Sequence, residues 1–185
     1  DKQGDLAVAN IISTSGGAGS VSIWTDAKGN PTSYPVAGLS RVYFIAYDPH
    51  GDLFVDGANA SGVFELAERA KGQSAFTTVT VSGATINFPG SLQYADGALA
   101  VGDQSGSSGH SVIYQTHVSG ETATVVGATQ LDDAIDAVST CITPFATIIV
   151  GDAGSGDIQI YAYPAGGKPI HTISGGGSGG CAFIP

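Results

Sequence analysis

Methionine is absent from this sequence, and cysteine occurs only twice. Charge is scarce: Asp, Glu, Lys and Arg make up 12% of the residues, about half the usual share. Positive charge is scarcer still, with 6 Lys and Arg against 16 acids and a net charge of −10. Lys2, Lys28, Arg41, Arg69, Lys71 and Lys168 are scattered. No basic stripe exists to follow a phosphate backbone, so nucleic acid is excluded as a partner. Anionic membrane surfaces are disfavoured on the same ground. No apolar run reaches the length of a membrane-spanning helix, so no transmembrane segment is expected. A signal peptide and an initiator Met are both missing, which is the pattern of a processed mature chain or of a segment of something longer.

What remains is apolar and small. Hydrophobic residues make up 42% and glycine contributes 28 of 185 residues, with a mean hydropathy of +0.18. Such a chain buries a core as one compact domain, residues 1–185, and is not disordered. Its surface has to be built from Ser, Thr, Gly, Asn and Gln. That composition is common in secreted bacterial β-proteins, and it points to an extracellular, periplasmic or cell-surface location.

Four segments share one grammar. Each holds an apolar run ending in a small or acidic turn: Leu6 to Asn10, Leu53 to Gly57, Leu99 to Asp103, and Ile148 to Asp152. Each is followed by an alternating strand: Val21 to Trp24, Val63 to Leu66, Val112 to Gln115, and Ile158 to Tyr161. A turn glycine and a further β-rich run close each unit. The marker valines Val8, Val55, Val101 and Val150 are spaced by 47, 46 and 49 residues. A period in the forties with four short strands is the signature of propeller blades. The only helix-like stretch, Glu65 to Lys71, falls where the other units have strands, and reads as strand plus turn. The expected fold is all-β, a propeller of about four four-stranded blades. Their expected bounds are roughly 1–40 plus 179–185, 41–84, 85–131 and 132–178.

Units two to four begin with an inner strand and unit one does not. Joined head to tail, the termini read CAFIPDKQGDLAVAN, parallel to YFIAYDPHGDLFVDG in unit two. The expectation is that the C-terminal strand, Cys181 to Ile184, pairs with the N-terminal blade and closes the ring. The alternative is that a neighbouring chain supplies the missing strand.

The hairpin pieces Asp48-Pro49-His50-Gly51-Asp52-Leu53-Phe54-Val55-Asp56 and Asp1-Lys2-Gln3-Gly4-Asp5-Leu6-Ala7-Val8-Ala9-Asn10 resemble NHL-type blades, which also occur in gluconolactonase-like propellers. The tail of unit four, Ile158 to Ser174, is similar to the tail of such blades. As a whole the chain resembles secreted bacterial propeller proteins. Related propellers more often have six blades, where four are counted here. The gluconolactonase-like resemblance implies a channel metal held by Glu, Asn and Asp. Glu65, Glu68 and Glu121 do not fall at matching inner positions.

Candidate chemistry is sparse. Asn10, Asp56, Asp103 and Asp152 sit just after the second strand of each unit, and converging carboxylates there would suit a hard cation such as calcium. The competing reading is that each bonds the backbone of its own turn. Asp132, Asp133 and Asp136 lack calcium-loop spacing and read as a solvated loop. His50, His110, His117 and His171 show no metal-ligand spacing, and they read as surface residues. Gly106 to His110 is not a nucleophile elbow. Cys141 and Cys181 form a disulfide candidate that would tie down the closing strand, with two buried free thiols as the alternative. Trp24, Tyr114 and Tyr161 recur on third strands, as expected for packing between blades. Asn59-Ala60-Ser61 is a glycosylation sequon.

No nucleophile, base pair or metal constellation emerges, so a non-enzymatic binding or scaffold module is expected, with no cofactor beyond that calcium alternative. Its partner would be a protein, a glycan or a second copy of itself. Two alternatives are a subunit of an extracellular assembly or filament sharing strands between chains, and a metal-dependent gluconolactonase-like hydrolase.

Overall fold

The computed structural model describes residues 1–12, 17–176 and 180. These carry fifteen strands, a short 3-10 turn at Thr25–Ala27 and no α-helix among the described residues. The strands divide into two compact units.

The first unit comprises residues 1–82 and 118–124. It holds β1 (Leu6–Asn10), β2 (Ser20–Trp24) and β3 (Thr32–Pro35), then β4 (Arg41–Tyr47), β5 (Leu53–Ala58), β6 (Phe64–Arg69) and β7 (Thr77–Ser82). Within each set, successive strands pair antiparallel. Glu65 to Arg69 is strand, as its place in the repeat requires, despite its helix-forming composition. Tertiary pairing overrides local propensity here. Val21, Leu39, Val42, Leu53, Val55 and Phe76 form the core of this unit.

The turns that lead into β1 and β5 are closed by the motif Asp-x-x-Gly-Asp. Asp48 Oδ1 accepts the backbone N–H groups of His50 and Gly51 at 2.8 Å and of Asp52 at 2.9 Å. Asp1 Oδ1 accepts those of Gln3 at 3.0 Å and Asp5 at 2.8 Å. The last Asp of each motif serves the neighbouring turn: Asp52 Oδ1 accepts Lys71 N–H at 2.7 Å and Asp5 Oδ1 accepts Asp26 N–H at 2.9 Å. The motif works as a set of carboxylate caps for the backbone donors of the turn, one of which, Gly51 N–H, is shared with Asp48 O at 3.2 Å.

The second unit comprises residues 83–117 and 125–185. Its strands are β8 (Pro89–Ala95), β9 (Ala98–Asp103), β10 (Val112–Ser119), β11 (Thr122–Gln130), β12 (Ala137–Thr143), β13 (Thr147–Asp152), β14 (Asp157–Ala162) and β15 (His171–Ile173). The tip of the β10–β11 hairpin belongs to the first unit. There Thr122, Ala123 and Thr124 pair parallel with Thr80, Val81 and Ser82 of β7. That parallel ladder has no counterpart in the repeat pattern.

Ile113, Leu131, Ile142, Ile148, Val150 and Tyr161 build the second core. β9 is buried at every position, so its near-continuous apolar sequence suits a strand covered on both faces. Gln93 locks β8 to β12: its amide donates to Ile142 O at 2.8 Å and accepts Ile142 N–H at 2.7 Å. Tyr161 is fully buried. Its hydroxyl donates to Gln159 Oε1 at 2.5 Å and accepts the Asp133 N–H, pinning the 131–136 loop to β14. Burial, and then the Asp133 and Asp152 charges, push that hydroxyl well above the usual tyrosine range. Asp133 and Asp136 themselves are exposed.

Cys141 is buried on β12 opposite Ile149. Its proposed partner Cys181, and with it the ring-closing strand Cys181 to Ile184, lies outside the described residues.

A candidate binding cleft in the second unit

The four repeat-position residues do not share one position. Asn10, Asp103 and Asp152 are the last residues of β1, β9 and β13, whereas Asp56 lies inside β5. Counted from the marker valines, Asp56 is one residue early. Val55 is followed by Asp-Gly where Val101 and Val150 are followed by Gly-Asp. Strand side chains alternate faces, so this shift sends the Asp56 carboxylate to the opposite face of its strand. The expectation that all four sit just after the second strand is therefore corrected.

Their bonding follows the shift. Asp103 Oδ1 accepts the N–H groups of Phe88 at 3.1 Å and Ser105 at 3.0 Å, and Oδ2 accepts Asn87 N–H at 3.2 Å. Asp152 accepts Gly154 N–H at 3.0 Å and the Ser155 hydroxyl at 2.8 Å. Asn10 donates to the hydroxyls of Ser20 at 3.2 Å and Ser22 at 2.9 Å. Asp56 is fully buried; Oδ1 accepts Phe44 N–H at 3.2 Å and Oδ2 has no partner. Burial pushes its carboxyl well above the usual range, against the opposing pull of the Phe44 bond. Among the described residues, no three His, Cys, Asp or Glu side chains are grouped to hold a metal ion.

Both units carry a cleft among the described residues. In the first unit a cleft of about 440 Å³ is lined by Glu68, Gln73, Ser74, Thr77 and Glu121 among others. Burial, then the charges of Asp52 and Asp48, raise the Glu68 carboxyl.

The second unit's cleft, about 290 Å³, gathers residues far apart in sequence: Asp96, Gln115, His117, Val126, Tyr163 and Pro164, with Ala95, Ala98 and Gly127. Its floor is a saturated polar network. Gln115 Nε2 donates to Thr129 Oγ1 at 2.8 Å and Ile113 O at 3.2 Å. Thr129 Oγ1 donates to Pro164 O at 2.8 Å, and the Tyr163 hydroxyl bonds the Gln115 side chain. Gly127 makes room for this network, since a Cβ there would lie 2.6 Å from Gln115 Oε1. Gln115, Thr129 and Tyr163 are all buried. Burial raises the Tyr163 hydroxyl, the Gln115 bond opposes this, and the Asp96 charge adds to the rise.

Asp96 stands on the rim in the β8–β9 turn. Ala95 pairs with Ala98, so the turn is the two-residue Asp96-Gly97, with φ of 51° and 79°. Positive φ at both positions is the hairpin geometry that an Asp-Gly pair supplies. Asp96 is exposed, and its carboxylate makes no hydrogen bond among the described residues. None of Asp96, Gln115, Tyr163 and Pro164 is conspicuous in sequence; only the Asp-Gly turn gives a local signal. His117, read as a surface residue, is exposed on β10 and lines this cleft. His110 has a buried Nδ1 without a hydrogen-bond partner.

No family model and no curated protein sequence matches the chain. Solved structures do. The WD40 β-propeller domain of Doa1 superposes with a TM-score of 0.56 at 14% identity, covering 94% of this chain and 51% of that one. The fold is a β-propeller fold. YCF48, solved with a D1 peptide, gives 0.55 at 11% identity over 88% of this chain and 55% of its own. A Bacteroides uniformis protein assigned as a 6-phosphogluconolactonase gives 0.54 at 14% identity over 93% and 55%. The chain thus spans about half the length of these propellers. At such identities the likeness carries the fold and nothing of their activities.

Proposed function

We propose that this chain is a secreted or cell-surface propeller of NHL type, acting as a binding or scaffold module and not as an enzyme. One contrast carries the reading. The carboxylates at the ends of β9 and β13 are bonded to backbone and side-chain donors around their own turns. The cleft between Asp96, Val126 and Tyr163 instead offers a rigid polar floor, apolar walls and one unbonded carboxylate. That is the make-up of a small recognition site. Low charge and a Ser/Thr/Gly surface suit an extracellular setting.

The test is a peptide-array screen of the intact chain beside Val126→Arg, which fills the cleft from an exposed position. Expected is a set of binders lost in the variant while its circular dichroism is unchanged. Binders indifferent to Val126→Arg would remove the cleft from the reading. Calcium-dependent lactone hydrolysis abolished by Asp103→Ala, and not by Val126→Arg, would replace it with the hydrolase.

A further inference from the structure

The second unit's cleft has a definite electrostatic character. Among its lining residues Asp96 is the only carboxylate, no Lys or Arg is present, and the one imidazole is that of His117. Its carboxylate accepts no hydrogen bond from the fold, unlike Asp48, Asp103 or Asp152. A ligand therefore meets an anion whose acceptor capacity is unspent. The walls below it are Ala95, Ala98, Val126 and Pro164, all apolar, with Val126 54% exposed. They offer contact to methylene groups. The floor offers little new bonding, because both N–H groups of Gln115 are already donated and the Tyr163 hydroxyl is held.

The complement of this arrangement is a chain of a few methylenes ending in a strong donor of positive charge. Charge-assisted hydrogen bonds to a carboxylate are about twice as strong as neutral ones, and aliphatic stems lie along apolar surface while the charged head reaches a polar rim. Resting on the binding-module reading above, we propose that this cleft receives a primary ammonium on a short aliphatic stem, the chemistry of a lysine side chain. An anionic group of the same length would face Asp96 and be repelled. A neutral alcohol would keep the stem contact and lose the charge.

The test uses three probes of equal length on the intact chain: n-pentylammonium, pentan-1-ol and pentanoate. Binding is followed by amide chemical shifts at Ala95, Asp96, Gly97, Val126 and Gly127. Expected is saturable movement of these amides with pentylammonium, weaker binding of pentanol, and none of pentanoate. Asp96→Asn is expected to weaken pentylammonium roughly tenfold or more while the rest of the spectrum stays in place. Pentanol or pentanoate binding as tightly as the amine would overturn the ammonium assignment and leave the cleft as a binding site. So would pentylammonium affinity unchanged by Asp96→Asn. Immobile cleft amides with all three probes would overturn both the ligand class and the cleft's role in binding.

Discussion

The β4–β5 turn of the first unit and the β8–β9 turn of the second use an aspartate to opposite ends. In the first unit Asp48 opens a five-residue turn between Tyr47 and Leu53 and spends Oδ1 on three backbone N–H groups. In the second, Asp96 sits in a two-residue turn whose geometry needs no side-chain cap. A longer turn leaves donors that the backbone cannot pair, and a carboxylate is recruited to satisfy them. The tight turn leaves none, and its carboxylate stays available. Turn length thus decides whether an aspartate is part of the scaffold or part of a site. A one-residue shift along the strand, not turn length, separates Asp103, bonded to Phe88, Ser105 and Asn87, from Asp56, which has one bond and a bare oxygen.

The sharpest way to break this contrast is Asp103→Ala. It strands three backbone donors around a residue that is 1% exposed, and should cost about 3 kcal/mol of stability by urea denaturation. A loss below about 1 kcal/mol would mean that water replaces the carboxylate freely and that it is not a scaffold residue.

Next comes the matched pair Asp48→Ala and Asp96→Asn. The first should lose about 2 kcal/mol and the second stay within about 0.5 kcal/mol of the parent. Equal effects in calorimetry would erase the distinction between capping and free carboxylates.

The smallest effect, and of opposite sign, is Asp56→Asn. Burial raises this carboxyl well above its usual range, so the folded chain holds a proton that the unfolded chain releases above about pH 3.9. Its contribution is fully present below that pH and is lost as pH rises toward the folded-state value. Asp56→Asn should flatten that slope and gain stability at neutral pH. An unaltered pH profile would show that the carboxyl is as well solvated folded as unfolded.

Much of the fold was legible because it is periodic. The marker valines Val8, Val55, Val101 and Val150 all fall on strands, β1, β5, β9 and β13. The Asp-x-x-Gly-Asp motif read as a hairpin turn proves to be a capping device. Even Glu65 to Arg69 followed the repeat over its own propensity. What the repeat hid were departures from it. The exchange of Gly-Asp for Asp-Gly after Val55 looks trivial in a string of letters, yet it reverses which face a carboxylate meets. The extended β10–β11 hairpin and its parallel pairing with β7 leave no local signature, because nothing in Thr122 to Thr124 names a partner so distant in sequence. The cleft was illegible for the same reason. Its parts come from one turn, four strands and a loop, and each part is ordinary alone.

The β7–β11 ladder also has a consequence in time. Residues 118–124 belong to the first unit but are made about forty residues after β7, with a loop-closure cost that rises only slowly with that distance. During synthesis the first unit therefore waits, one edge of β7 lacking its partner, until the later hairpin has emerged. A nascent chain stopped short of Thr122 presents an open strand edge of the kind that seeds association. The completion of the first unit thus depends on a three-residue pairing with a later part of the chain.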